Sequence, residues 1–311
     1  MRVLITGGSG FIGSHLAIRC AGLGWETTIV DREVNLWEQW KDLMSETGTP
    51  FTFIQNDMIS PAVLDEIRAK KFDIIFHLAA VPRVSYSVEH PAETTDENIL
   101  KSVKLLEAAQ GNCFRFIFAS SSSVYGGADV LPTPETYPLS PKSPYALQKR
   151  VVEDFCRMFG SLYEMDTVCL RYFNVFGERQ LGNSPYSTAL SAWCHAIKHN
   201  LPLRKDGTGQ QSRDMTYVAN VVEANIRAAL SWNIFRGEAF NVACGDKVSN
   251  NEILAEFERR YPILTIREVP FRPGDVMHSQ ADISLITKTF DYAPVMRFWE
   301  GFERTLRWWN L

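Results

Sequence analysis

The chain has no long apolar run. Nowhere in its 311 residues is there a stretch near the roughly 20 apolar residues that a membrane-crossing helix needs, so no membrane partner is expected. Met1 leads directly into Val3-Leu4-Ile5 without the pattern of a signal peptide, and the expectation is a cytoplasmic protein. Basic runs are also missing. With 32 basic against 36 acidic side chains the formal net charge is −4, which argues against nucleic acid as a partner. Cysteines at 20, 113, 156, 169, 194 and 244 show neither Cys-x-x-Cys spacing nor clustering with histidine, and read as reduced core residues. His195 and His199 share an i, i+4 spacing, but no third ligand accompanies them, and no metal is expected. No internal repeat, low-complexity tract or clean linker divides the chain, whose length suits one globular unit with two lobes.

What is present is an alternation of short apolar runs and amphipathic stretches through about residue 165, which reads as an α/β fold with a doubly wound parallel sheet. Residues 1–165 form the expected nucleotide-binding domain. Residues 166–311 form a smaller α/β lobe, with the chain crossing back to the first. Val3, Leu4 and Ile5 read as a buried strand, and Thr6-Gly-Gly-Ser-Gly-Phe-Ile-Gly13 follows at once. Glycines at 7, 10 and 13 allow a tight turn, a close backbone approach to a pyrophosphate, and close packing of the next helix. That helix has an apolar stripe of Ile12, Leu16, Ala17 and Cys20. Thr27 to Val30 read as the second strand and end at Asp31, where a carboxylate accepts hydrogen bonds from an adenosine ribose and repels the extra phosphate of NADP. The cofactor read from these parts is NAD, with Arg32 leaving NADP open.

Chemistry enters with Tyr145 and Lys149 in Ser-Pro-Tyr-Ala-Leu-Gln-Lys. Residues at i and i+4 of a helix share a face, so the ammonium can lie beside the phenol. Tyrosine ordinarily titrates near 10; reaching about 7 takes roughly 4 kcal/mol, expected here from the close cation, partial burial and a positive nicotinamide. Such a phenolate takes a proton from an alcohol. Phe114 to Phe118 read as a strand running into Ala119 and four serines, 120 to 123, which places hydroxyls at the ligand end of the sheet. In the C-terminal half, Arg213 follows a Gly-Thr-Gly turn and Arg272 opens Arg-Pro-Gly-Asp275; paired guanidinium groups suit a diphosphate.

Together these parts resemble the extended short-chain dehydrogenase/reductase family, and within it the nucleotide-sugar epimerases, over essentially the whole chain. The resemblance rests on TGGSGFIG at 6–13, Asp31, Asn56-Asp57, FHLAA at 76–80, Asn98, SSSSVYG at 120–126, PYALQK at 144–149, RYFNVFG at 171–177, QSRDMTYV at 211–218 and RPGD at 272–275. It implies a Rossmann-like fold and a hydride mechanism. NAD is held tightly, hydride leaves carbon 4 of a UDP-sugar while Tyr145 takes the hydroxyl proton, and the 4-keto sugar turns over before hydride returns to its other face. By the same resemblance Ser121 is the catalytic serine, Tyr145 the acid/base, and Lys149 the contact to the nicotinamide ribose. Cofactor contacts extend to Gly7, Gly10, Phe11, Ile12, Gly13, Asp31, Asp57 (at the adenine), Met58, Leu78, Ala79, Ala80 and Asn98. For Asp57 and Asn98, turn formation or helix capping is the competing reading. Substrate contacts fall on Ser121, Ser122, Ser123, Tyr145, Asn174, Arg213, Arg272, Asp275 and Ser279.

Two positions bear on the substrate. Related 4,6-dehydratases carry an Asp-Glu pair where this chain has Ser122 and Ser123, so elimination of water lacks its acid and base. At 279, epimerases restricted to glucose and galactose tend to have tyrosine; Ser279 leaves room for an acetamide, and its segment is similar to the UDP-N-acetylglucosamine 4-epimerases. The leading expectation is interconversion of UDP-GlcNAc and UDP-GalNAc. UDP-glucose or UDP-glucuronate 4-epimerisation, an NAD-linked sugar-nucleotide reductase or dehydrogenase, and a non-enzymatic NAD-binding sensor stay open. Glu178, Gln148 and Asn220 depart from the family pattern, which has proline, serine and aspartate there. Helices near 92–109 and 145–160 correspond to the family's dimer faces, so the resemblance implies a homodimer. Phe298, Phe302, Leu306 and Trp309 recur at helical spacing and are expected in the core.

Overall fold

A computed structural model describes residues 1–38, 40–183, 187–271 and 276–311 of the chain. Its centre is a parallel sheet of seven strands: β1 (Arg2–Thr6), β2 (Glu26–Asp31), β3 (Phe51–Gln55), β4 (Ile74–His77), β5 (Arg115–Ser121), β6 (Thr167–Tyr172) and β7 (Arg236–Val242). They lie in the order β3-β2-β1-β4-β5-β6-β7, every adjacent pair parallel. The chain therefore winds outward from β1 in one direction and from β4 in the other. At such a switch point the two loops leave on opposite faces and open a crevice at the strands' C-terminal ends.

Successive residues of a strand point to opposite faces, and both faces here are covered. Val3 and Ile5 face one core layer, under α1 (Phe11–Gly22) and a later helix, Val218–Leu230, while Leu4 faces the other. That second layer packs α3 (Lys101–Ala109) and α4 (Pro144–Tyr163); α2 (Val84–Glu89) lies between β4 and α3 in sequence. The 20-residue α4 starts where the Ser143 hydroxyl accepts the Ala146 N–H and Pro144 takes a first-turn position without a donor to lose, and it stops at Glu164, whose φ of 57° is left-handed. Its buried positions, 145, 146, 148, 149, 152, 153, 156, 159 and 160, keep the helical period that points one stripe at the sheet.

The second lobe gathers α5 (Ala189–Lys198), α7 (Asn250–Arg260) and α8 (Phe298–Trp309) around short strand pairs such as Leu203–Asp206 with Ile266–Val269, while α6 (Val218–Leu230) lies with α1 against the sheet. Phe302, Leu306 and Trp309 are buried in its core with Phe298 packed against it, as the helical spacing predicts. The expected boundary at 165 falls just before β6; β6 and β7, both beyond it, complete the sheet of the first lobe. No helix of the described residues is long and apolar enough to cross a membrane.

Candidate active site

A cleft of about 1110 Å³ runs along the C-terminal ends of the strands and under the second lobe. At one end is the glycine turn. Gly7 has a φ of 70°, and a Cβ on it would lie 2.7 Å from the Ala79 nitrogen; a Cβ on Gly13 would lie 2.2 Å from the Gly7 carbonyl oxygen. Side chains are excluded there so that backbone and helix N-terminus can approach a ligand. Phe11 and Ile12 complete the turn's share of the lining. Asp31 ends β2 in the same wall, its carboxylate oriented by the N–H groups of Ser9 and Glu33, each at 3.1 Å. Arg32 pairs with Glu97 at 3.1 Å and stands 3.9 Å from Asp57, so this cation is already neutralised and the wall facing a ribose is acidic.

Asp57 and Met58 line the cleft, and Asp57 bonds Lys101 at 2.6 Å. Leu78, Ala79 and Ala80 form the floor beyond β4. Asn98 lies beneath that floor, 3% exposed and outside the lining. Its carboxamide oxygen accepts the Val81 N–H at 2.7 Å, and its nitrogen donates to the Val81 carbonyl and to Gln148. It stands in a π-helical turn, Asp96–Leu100, and holds the loop that forms the floor. His77 is buried between Thr6 and Ser102, 2.8 Å from each hydroxyl, and burial lowers its pKa to about 3.

Ser121, Ser122, Ser123, Tyr145 and Lys149 line the middle of the cleft. β5 delivers Ser121, whose hydroxyl accepts the Ser123 N–H at 3.2 Å and hydrogen-bonds Tyr145. Lys149 donates to the Ala119 carbonyl at 2.7 Å and sits over the Phe118 ring at 4.7 Å, against 5.8 Å for the Tyr145 ring centroid. Burial pulls Lys149 down to about 8, with Glu153 opposing. Burial also pushes the Tyr145 phenol up to about 12, against the Ser121 hydrogen bond and the charge of Arg83. The part of the expectation that counted burial in the phenolate's favour needs correction, because burial penalises the anion.

On the second lobe's side, Asn174, Arg213 and Ser279 reach the cleft. Asn174 donates to the Ser279 hydroxyl at 3.2 Å. Asp214 organises this wall by accepting backbone N–H groups of Cys244, Gly245 and Ala281. Arg272 and Asp275 lie outside the described residues. Two arginines that sequence reasoning passed over also line the cleft, Arg83 and Arg179. Arg179 donates to His15 Nδ1 at 2.6 Å, His15 donates through Nε2 to the Glu178 carbonyl, and the Arg179 Nη1 is buried with no partner among the described residues. Only its place in a Gly-x-Arg-Gln turn after a strand could have marked it. The glycine cradle, the acidic wall at Asp31 and this unpartnered guanidinium donor fit a dinucleotide's backbone, ribose and diphosphate. No group of three or more metal-ligating side chains occurs among the described residues.

The sequence matches the NAD dependent epimerase/dehydratase family over residues 3–243. A putative UDP-glucose 4-epimerase of Methanocaldococcus jannaschii is 31% identical, with 98% of this chain and 97% of that protein covered. Among solved structures, the UDP-N-acetylglucosamine 4-epimerase from Methanobrevibacter ruminantium, in complex with UDP-N-acetylmuramic acid, is 35% identical with a TM-score of 0.91, covering 99% of this chain and 98% of that one. The UDP-glucuronic acid 4-epimerase from Bacillus cereus, in complex with UDP-glucuronic acid and NAD, is 26% identical, also at 0.91, covering 100% and 99%.

Proposed function

The chain belongs to the NAD-dependent epimerase/dehydratase family, and from that premise we propose that it interconverts UDP-N-acetylglucosamine and UDP-N-acetylgalactosamine. It is an NAD-dependent isomerase of the UDP-sugar 4-epimerase group. NAD supplies a hydride acceptor that is regenerated within each turnover. In our reading Tyr145 takes the proton of the 4-hydroxyl and returns it to that same oxygen once carbon 4 has turned its other face, and Ser121 shares a hydrogen bond with the same oxygen. Lys149 holds the nicotinamide ribose, and Arg213 takes the diphosphate. Ser122 and Ser123 offer hydroxyls but no carboxyl pair for eliminating water. Exposed Leu147, Met158 and Leu162 on α4 support a homodimer paired through that helix.

The observation that carries the N-acetyl reading is Ser279. It lines the same cleft as the serine run and is small, its hydroxyl bonded to Asn174. An acetamide at carbon 2 needs the volume that a larger side chain would fill. The test is to incubate the purified protein, without added NAD, with UDP-GlcNAc or UDP-glucose and resolve products by proton NMR. Faster formation of UDP-GalNAc than of UDP-galactose is expected. Formation of UDP-galactose alone would remove the N-acetyl reading and leave a 4-epimerase.

A further inference from the structure

We infer that Glu97 is a cofactor-selecting residue: it engages the guanidinium of Arg32 that a ribose 2′-phosphate would need, and so favours NAD over NADP. The inference rests on reading Asp31 as the ribose-binding acid and is independent of which UDP-sugar is taken. Where a dinucleotide carries the extra phosphate, an arginine near the ribose-binding position accommodates it. Arg32 directly follows Asp31 at the end of β2 and lines the cleft, so this chain carries the residue type that NADP needs. Its Nη1 is already engaged, donating to Glu97 Oε1 at 3.1 Å and standing 3.9 Å from Asp57 Oδ2.

Glu97 is the fixed member of the pair. It sits in the π-helical turn Asp96–Leu100 that leads into α3, and its side chain is 18% exposed against 55% for Arg32. The same Oε1 accepts the ammonium of Lys101, one helical turn on, at 2.7 Å, and Lys101 also bonds Asp57 at 2.6 Å. Asp57 is anchored in turn, its other oxygen accepting the Ile59 N–H at 3.0 Å. The Glu97 carboxylate is thus held in place by a nearly buried ammonium, and the long, half-exposed side chain of Arg32 comes to it. Asp31, Glu33, Asp57 and Glu97 all line the cleft around Arg32. A phosphate dianion entering there meets four carboxylates whose charge Arg32 and Lys101 only half offset. Loss of the Glu97 charge removes one of those carboxylates and at the same time frees Arg32 for the phosphate. Both effects act on NADP alone, because the corresponding ribose hydroxyl of NAD carries no charge.

The test sets NADP against NAD on the intact protein. Purified protein is held in mixtures of the two, at rising ratios of NADP to NAD, until the bound share is constant; free cofactor is then removed, and the nucleotide released on denaturation is resolved by chromatography. The quantity read is the mixing ratio at which half of the bound cofactor is NADP. Glu97→Gln, which keeps the side chain's shape, and Glu97→Ala, which removes it, should each lower that ratio about tenfold, the scale of a partly exposed charge acting on a dianion; thermal midpoints establish that each variant folds. Adding Arg32→Met to Glu97→Gln should raise the ratio again. An unmoved ratio, which is what a purely structural Glu97 would give, overturns the inference, and so does a gain for NADP that survives Arg32→Met. Asp31→Ala should lower the ratio as well; if it does not, the ribose lies elsewhere and the reading of Asp31 on which the inference stands is the part that fails.

Discussion

Ser279 is held by its backbone on both sides: its N–H donates to the Ser212 carbonyl at 3.0 Å, and its carbonyl accepts the Asp214 N–H at 2.8 Å. With the backbone fixed, its side chain alone sets how much room the sugar wall leaves. Ser279→Tyr should therefore lower the preference for UDP-GlcNAc over UDP-glucose, as a ratio of kcat/KM values, by about 10- to 100-fold, the range for a small group in a shaped pocket. An unchanged ratio would show that the acetamide lies elsewhere. Residues of this kind are legible in sequence when the chemistry admits few types. Glycine must stand where a Cβ would strike the Gly7 carbonyl, and a hydroxyl and a phenol must stand where a proton moves. Arg83 and Arg179 escape such reading because arginine is common on surfaces and its long side chain is aimed by the fold. The three departures from the family pattern are explained by bonds the sequence does not display. Gln148 donates to Thr94 at 2.9 Å and accepts from Asn98. The Glu178 carboxylate accepts the Tyr217 hydroxyl, and Asn220 both donates to the Met296 carbonyl and accepts its N–H, a pairing that an aspartate cannot make.

At the scale of elements, α4 and β5 meet through one row of side chains. Tyr145, Lys149 and Glu153 recur every four residues, and they engage Ser121, the Ala119 carbonyl and the Ser120 hydroxyl in turn. Glu153 also binds Arg171 of β6 through both oxygens, at 3.0 and 2.7 Å, and is 0% exposed. Removing one member of a buried ion pair strands the other, at a cost of about 3–5 kcal/mol, whereas replacing both with apolar side chains is often near neutral. Glu153→Gln should lose stability in that range by denaturant titration, and Glu153→Met with Arg171→Met should recover most of it. A single variant costing under about 1 kcal/mol would show that the pair does not tie α4 to the sheet. The apolar period of α4 makes the helix legible, and the apolar runs at β1, β2 and β5 make those strands legible, because burial on both sides admits few polar residues. The two-residue strands Ser212–Arg213 and Val248–Ser249 are too short to leave a period, and the π-helical turn that carries Asn98 has no sequence signature.

At the scale of the whole molecule, the chain returns to its first lobe because β6 and β7 extend the sheet while the segments around them build the second. Alternation places an approximate boundary at 165, between α4 and β6, with the chain crossing back, and a local pattern does not reveal which later strands make that return. The two lobes and their joint each bury a titrating group: His77 within the sheet, His15 between α1 and the second lobe, Asp214 beneath the sugar wall. Burial lowers His77 to about 3, and burial with the Arg179 charge lowers His15 to about 3. Unfolded, each takes a proton near 6.5, so the stability each contributes is present above that pH and lost as pH falls through the window. Asp214 works the other way. Burial raises it to about 7 against its three N–H donors, so the folded chain binds a proton that the unfolded chain has released, and acidification favours the fold. Glu135, also raised by burial, adds in the same sense near the acid end. Between about pH 4.5 and 6.5 the unfolded chain thus binds two protons at these buried histidines and the folded chain one at Asp214, with His195, also lowered by burial, adding in the histidines' sense. The net of one proton gives a slope of about 1.4 kcal/mol per pH unit. Unfolding in denaturant at saturating NAD should show stability falling by up to about 3 kcal/mol on acidification across that window, and Asp214→Asn should steepen the fall toward the two-proton value. Stability that stays flat or rises on acidification would mean that these histidines are solvated or already charged in the folded protein.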